Sequence, residues 1–465
     1  MRKINWGMMA CGVFLLWATL AVAQPAQTFT SLHSFNGTDG ANPQAGLLQG
    51  TDGNLYATTE DGGASGKGTI FKITSSGTLT ALHSFAGTDG SLPMAGLVQA
   101  ANGDLYGTTF DGGDFNDGAV FKITPSGALT TLHSFRSTDG ANPTAGLVQA
   151  DNGDLYGTTF DGGAVNSDGT VFKITTTGTL TTLHNFVGAD GALVRAGLVG
   201  GTDRKFYGTT QSGGTGGIGT VFSITLSGKL TTLHSFEGPD GYAPLAGLVQ
   251  DTNGNLYGTT YSGGANGDGT IFSITTSGTL TTVYSFCSQS NCTDGANPFA
   301  GLVQGTDGNL YGTTRYGGAN GQGTVFKVTT SGTLTMLYSF CSQSNCTDGA
   351  NALAGLVQET NGKFYGATSG GGANADGTVF SISVGLGPFV ETLPASGNVG
   401  AVVKILGTSL TGATSVTFNG TAATFTVKSK SEITTTVPTG ATTGTVQVVT
   451  PGGTLSSNVP FTLTP

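Results

Sequence analysis

From residue 28 onward the apolar positions come in short runs that alternate with polar ones, and none holds a helical spacing for long. One unit reads "AGLVQ", a polar turn, "NLYGTT", a Gly-rich loop, "GTVFKIT", an "SG" turn and "TLTTLHSF". Each run is short, rich in Val, Ile, Thr, Tyr and Phe, and bounded by Gly, Asn, Asp or Ser, which predicts a strand. No amphipathic helix is predicted after the first 23 residues. The unit then recurs: "AGL" begins at Ala45, Ala95, Ala145, Ala196, Ala246, Ala300 and Ala354, with periods of 50, 50, 51, 50, 54 and 54. Four strand types per unit predict propeller blades, each sheet burying both faces against its neighbours.

The two ends of the array are complementary. With strands lettered A to D from the centre outward, types A, B and C occur seven times, the last as "KFYGAT" and "GTVFSI" before residue 385. No D-type run follows them, but an extra one, "TFTSLHSF", stands at 28–35. Borrowing that run as the outer strand of the last blade closes the ring and leaves no unpaired edge. The predicted fold is all-β: a seven-bladed β-propeller over 24–384 closed by an N-terminal strand, followed by a small Ig-like β-sandwich over 385–465. A β-solenoid is the rival, but four distinct strand types are long for one coil and a solenoid needs no matching ends. Kelch blades share the period, yet no tryptophan lies beyond residue 23. In the tail, alternating runs at 402–406, 415–418, 423–427, 433–437, 445–449 and 461–463 are separated by turns such as Asn419-Gly420 and Pro451-Gly452-Gly453.

Residues 1–23 have the layout of a secretory signal: Arg2 and Lys3, an apolar run over 8–20, then Ala21-Val22-Ala23. The run is too short for a mature membrane span, no other long apolar segment exists, and Cys11 lies inside it, which speaks against a lipid anchor. With no sorting signal or hydrophobic tail before Pro465, attachment to the cell is not expected. Removal of the leader changes 17 basic against 27 acidic residues to 15 against 27, a net charge of −12. So acidic a chain argues against nucleic acid or anionic lipid as partner.

The remaining cysteines, Cys287, Cys292, Cys341 and Cys346, occupy two copies of "CSQSNC" that lengthen a D-to-A loop by four residues each. Three pairings are possible, and a four-thiolate zinc site is the alternative. An oxidising compartment favours disulfides, and local pairs would each staple a six-residue loop at about 2 kcal/mol.

Chemistry should be sought on the face carrying the long D-to-A and B-to-C loops. The D-to-A loop repeats Asp39, Asp89, Asp139, Asp190, Asp240, Asp294 and Asp348, each before a glycine. Such a ring could attract Ca²⁺ or hydrogen-bond sugar hydroxyls, but a feature in every blade reads first as fold grammar, an Asx-type turn. No calcium-loop string is present, so no metal site and no cofactor is assigned, with Ca²⁺ the one option. His33, His83, His133, His184 and His234 share one register of strand D, where Tyr284 and Tyr338 replace them, and are expected to be half-buried packing residues. Residues that break the repeat are Glu60, Asp114, Asp117, Arg136, Arg195, Arg204, Lys205, Glu237, Arg315 and Tyr316. None forms a Ser-His-Asp, Cys-His or HExxH arrangement, so no catalytic residue is assigned. Arg195 stands just before the fourth "AGL", near the channel mouth; Arg315 and Tyr316 lie in the sixth B-to-C loop, and Asp114 and Phe115 in the second. These five are the candidate ligand contacts, with Phe110, Phe160 and Tyr261 as neighbouring aromatics suited to sugar rings.

The unit "AGLVQGTDGNLYGTT" with "GTVFKITTSGTLTTLHSF" resembles the GloVer (Gloeo-Verruco) tandem repeat of exported bacterial proteins, over 28–384 in seven copies. That resemblance implies export and an extracellular or surface setting, and no established activity. The chain is more distantly similar to the streptogramin lyase type of propeller, where "DGNLW"-like and "GTIT"-like strings alternate. The tail resembles IPT/TIG domains in "GTSLTGATSVTFNGTAA" and "VTPGG", implying a spacer or protein contact. The expected function is an exported, non-enzymatic binding or scaffold protein whose long-loop face contacts an extracellular glycan or protein. Alternatives are a propeller enzyme, a lyase or glycan hydrolase, and a structural matrix component. A cluster of unrepeated acid, base and cation at the channel mouth would favour the enzyme.

Overall fold

The computed structural model describes residues 27–464; the signal-like segment lies outside the described residues. Seven four-stranded antiparallel sheets surround a central channel. In the first, strand A is Leu48–Gln49, B Leu55–Thr59, C Thr69–Ile73 and D Leu79–Ser84. The seventh takes A from Val357–Gln358, B from Phe364–Thr368, C from Thr378–Ser383 and D from Thr28–Ser34. This closing strand pairs from Thr28↔Ser383 to Ser34↔Thr378, with a register shift between Ser31 and His33. The first blade shifts at the corresponding place, between Ile70 and Phe71. The closure therefore repeats the pairing found within continuous blades.

Strand B is buried along its whole length, as "LYGTT" at Leu105–Thr109 shows, because neighbouring sheets cover both of its faces. Strand D is outermost and half-exposed. The apolar clusters straddle blade boundaries. Phe35, Leu47, Leu55, Phe71 and Ile73 pack with Tyr365 and Val379 across the seam between the last blade and the first. Polar seams run beside them. The hydroxyl of Thr58 donates to the carbonyl of Ala95 at 3.1 Å, and Thr313 to Ala354 at 3.0 Å. At the other end, the glutamine closing strand A accepts from the A-to-B turn of the preceding blade in five blades, while Gln304 of blade six donates to Asp251 Oδ1 of that turn at 2.6 Å. Thr51 N–H donates to Gln99 at 2.9 Å, and Thr360 N–H to Gln49 at 2.9 Å across the closure. Gly200 takes the glutamine's place in blade four, so the seam between blades three and four has no such side chain.

The tail is a sandwich of two four-stranded sheets. One runs Val390–Leu393, Val402–Gly407, Glu432–Thr436, Phe425–Val427; the other runs Thr421–Ala422, Ser415–Phe418, Val446–Thr450, Gly453–Ser456. Val403, Ile405 and Ile433 face Val416, Phe418, Val446, Val448 and Phe461 between them. A parallel pair, Ser396–Gly397 with Thr462–Leu463, completes it. The sequence pattern anticipates six of these ten strands; Val390–Leu393, Ser396–Gly397, Thr421–Ala422 and Gly453–Ser456 escape it. Three of those four are short and polar, and carry no alternation to read.

The sandwich rests on the short-turn face of the ring. Ser431 Oγ donates to Thr51 O at 3.0 Å, Phe389 N–H to Thr360 O at 3.0 Å, and Ser396 Oγ to Asp151 Oδ1 at 2.6 Å. Each partner is an A-to-B turn residue, belonging to blades one, seven and three.

Candidate functional site

Within each blade the D-to-A loop is zipped to the B-to-C loop, as in Ala41↔Asp61, Ala141↔Asp161 and Ala296↔Tyr316. The next residues descend into the channel as "AG". Backbones approach closely at some of these positions: a Cβ on Gly146 would lie 2.7 Å from the carbonyl oxygen of Gly96, and one on Gly301 3.0 Å from that of Gly247. One step above, the repeat varies: Gln44, Met94, Thr144, Arg195, Leu245, Phe299 and Leu353 ring the opening. A second ring follows the end of strand B: Glu60, Phe110, Phe160, Gln211, Tyr261, Arg315 and Ser369. Both rings belong to the long-loop face, opposite the tail. The cavity at the mouth has a volume of about 170 Å³.

The charges around it come from blades one, four and six. Arg195 is fixed by Thr144, whose hydroxyl donates to the Arg195 carbonyl at 3.1 Å. Its guanidinium reaches from blade four to blade six, 5.0 Å from the centroid of the Phe299 ring. Tyr261 meets that ring edge-on at 6.3 Å. Arg315 lies over Tyr316 at 4.9 Å, and its Nε is buried without a hydrogen-bond partner, as is Gln211 Oε1. Glu60 does not form an ion pair with Arg195; the amides of Gln44 and Asn42 donate to its carboxylate instead. Burial pushes the Glu60 carboxyl above its usual range, reinforced by Asp61 and opposed by the Gln44 bond and by Arg195. Burial pushes Arg195 down, opposed by Glu60 and reinforced by Arg315. Acid and two cations thus share one electrostatic environment.

The five candidate contacts do not form one site. Arg195 lines the mouth, and Arg315, stacked on Tyr316, acts on it electrostatically from the sixth B-to-C loop, whereas Asp114 sits at the outer edge of blade two. Its N–H donates to Ser134 Oγ at 3.2 Å, in a shallow cleft with Thr131 and His133 of strand D. Phe115 is 44% exposed there, under Arg136 at 4.0 Å. Residue type alone could not separate rim from mouth. Gln44, Gln211 and Phe299 were missed, although register-by-register variation within the repeat marks all three.

The recurrent aspartates are latches. Asp39 Oδ2 meets His33 Nε2 at 2.9 Å, while Asp39 Oδ1 accepts from Asn36 N–H at 3.0 Å. The same pair recurs from His83–Asp89 at 2.7 Å to His234–Asp240 at 2.6 Å. The turn differs from the expected Asx form, because the carboxylate reaches back three residues rather than forward. Where the hexapeptide is inserted, Tyr284 takes the histidine's part and donates to Asp294 at 2.7 Å, joined by Ser288 N–H and Oγ. Burial pushes Asp294 up, but the bonds from Tyr284 and Ser288 outweigh it and hold the carboxyl below its usual range. The cysteines pair locally, Cys287–Cys292 and Cys341–Cys346. Among the described residues, the group of potential metal ligands Asp268, Cys287 and Cys292 has both sulfurs committed to a disulfide.

An extracellular domain assigned to a hybrid two component system of B. thetaiotaomicron is similar in fold, at 11% identity and a TM-score of 0.51. The alignment covers 94% of this chain and 58% of that one, so the chain spans well under two thirds of that structure. A fungal alcohol oxidase of the AA5 family, in complex with copper, aligns at 13% identity and a TM-score of 0.48, over 94% of this chain and 99% of that one. A gluconolactonase of Xanthomonas campestris aligns at 12% and 0.42, over 79% and 92%. At 11% identity the first of these likenesses speaks to fold alone. No curated protein matches the chain. The Gloeobacter/Verrucomicrobia repeat matches residues 18–217, 138–303 and 201–434, well over half of the chain, and the protein belongs to that repeat family.

Proposed function

We propose that the protein is an exported, non-enzymatic binding protein that holds a glycan or protein ligand on its long-loop face, with the tail an IPT/TIG-like spacer. One observation carries this reading: the tail bonds to the short-turn face, while Arg195 and Phe299, with Tyr261 against Phe299 and with Glu60 and Arg315 in electrostatic reach, stand at the opposite opening. Binding surfaces on repeat scaffolds arise where the repeat is broken, since the shared residues are occupied in holding the blades. Both disulfides support export, because such bonds persist in oxidising compartments. A glycan array probed with the protein tests the reading. Tyr261→Ala should weaken the strongest signals about tenfold or more, consistent with loss of a stacking aromatic at a binding centre. Ser431→Ala, on the covered face, should leave them unchanged. The reverse pattern would place the ligand elsewhere.

A second reading, an enzyme acting on glycans, draws on Glu60, whose carboxyl is pushed up beside Arg195 and so resembles a general acid in environment. It requires polysaccharide turnover that Glu60→Gln abolishes.

A further inference from the structure

We propose that the channel mouth seats the singly charged oxyanion of an acidic saccharide, with a uronic acid carboxylate held between Arg195 and Arg315. This rests on the long-loop face being the binding surface and names the ligand class.

The argument starts from unmet hydrogen bonds. Each guanidinium offers five N–H donors in a planar fork. Among the described residues, neither Arg195 nor Arg315 donates from its side chain to a protein acceptor, and Arg315 Nε is buried as well. Half-buried cations without acceptors are costly, and aromatic faces at 5.0 and 4.9 Å compensate only in part. The nearby carboxylate, Glu60, is taken by the Gln44 and Asn42 amides. What the pair lacks is an oxyanion from outside, for which guanidinium forks are well matched.

Size and surroundings narrow the class. A cavity of about 170 Å³ is smaller than sites that enclose a whole drug-sized ligand, roughly 300–1,000 Å³. One charged group or one sugar unit can enter, and the remainder of the ligand must lie across the opening. Phe299 and Tyr261, 6.3 Å apart, give apolar faces for the carbon side of a sugar ring. Glu60 within electrostatic reach disfavours a doubly charged phosphate and tolerates a monoanion. Uronate carboxylates and sulfate esters share that chemistry; the flat carboxylate fits a guanidinium fork edge to edge.

Calorimetric titration of the full secreted chain decides the matter, using a galacturonate trimer, its carboxyl-reduced neutral counterpart and a sulfated trisaccharide. The uronate should bind at least about tenfold more tightly than the neutral sugar, and Arg195→Gln or Arg315→Gln should each lower its affinity roughly 10- to 100-fold. Arg136→Gln, at the rim, should change nothing. Equal affinity for charged and neutral trimers overturns the proposal and needs no variant, so a misfolded mutant cannot shield it. So does uronate affinity that survives both arginine substitutions in variants that melt like the parent. Preference for the sulfated sugar overturns the carboxylate assignment. Neutral binding that Tyr261→Ala removes keeps the long-loop face as binding surface while the oxyanion seat fails; no binding in any arm overturns the oxyanion seat, and the glycan array then judges the face separately.

Discussion

Closure of the ring by residues 28–35 can be tested by comparing two phenylalanines that occupy one structural position at very different places in the chain. Phe35 follows the borrowed strand, and Phe135 follows an outer strand continuous with its blade. Both are fully buried. Phe35 meets Phe71 edge-on at 5.3 Å, and Phe135 meets Phe172 at 5.2 Å. His33 and His133 each lie 5.1 Å from their respective rings. The backbone N–H of Phe35 donates to Gly377 O at 3.0 Å, that of Phe135 to Gly118 O at 2.9 Å. Truncating a buried phenylalanine costs about 3–5 kcal/mol, of which the edge-on ring contact supplies about 0.5–1.5. Phe35→Ala and Phe135→Ala should therefore destabilise by similar amounts, within about 1 kcal/mol of each other given the usual scatter at fixed chemistry. Guanidinium unfolding of a chain beginning at Gln24, followed by tyrosine fluorescence, measures both, since Trp6 and Trp17 precede that residue. If Phe35→Ala cost less than about 0.5 kcal/mol, as a surface change does, while Phe135→Ala cost its full share, the leading strand would not be completing the last blade and the closed ring would be wrong.

Other predictions follow from single contacts. Gly200→Gln should supply the missing bridge between blades three and four, where a Cβ meets nothing closer than 3.8 Å, and raise stability by about 0.5–1.5 kcal/mol; an unchanged denaturation midpoint would deny the bridges any worth. Burial pushes the Glu391 carboxyl up to about 7. A raised acid binds its proton more tightly when folded, so its contribution favours the fold at acid pH and is lost as pH rises through about 7. Glu391→Gln should thus gain on the parent between about pH 4.5 and 8, by up to about 3 kcal/mol in the tail's unfolding, and parallel pH profiles would contradict this. Asp294 is held below its usual range, so the advantage of the parent over Tyr284→Phe should be full near neutrality and shrink as acid protonates Asp294; a gap that widens in acid would reverse the assignment. Replacing Cys287 and Cys292 together by serine should cost about 2 kcal/mol or less for so short a loop, read as a shift in thermal midpoint.

Much of this protein is determined by its sequence because its contacts are periodic. Each blade meets only its neighbours, so one unit of about fifty residues, read with its recurrence, dictates strand types, the number of blades and the orphan run that must complete the last sheet. The local disulfides belong to the same level, since five-residue separation leaves little geometric choice. The latch was within reach too: Tyr284 and Tyr338 replace histidine only where the hexapeptide is inserted, a paired change that the structure explains through Asp294 and Asp348. Three matters were settled by tertiary structure alone. The sandwich covers the short-turn face because Ser431, Ser396 and Phe389 find partners on A-to-B turns, and no sequence period encodes that docking. Asp114 and Phe115 go to the rim and Arg315 comes within electrostatic reach of Arg195 at the mouth although all three sit in B-to-C loops, because position along a loop becomes radius in the ring. Gln44, Glu60, Arg195, Phe299 and Arg315 become neighbours only when blades one, four and six are brought around a common axis. Local patterning specifies the blades; closure of the circle makes distant, unrepeated side chains into one site.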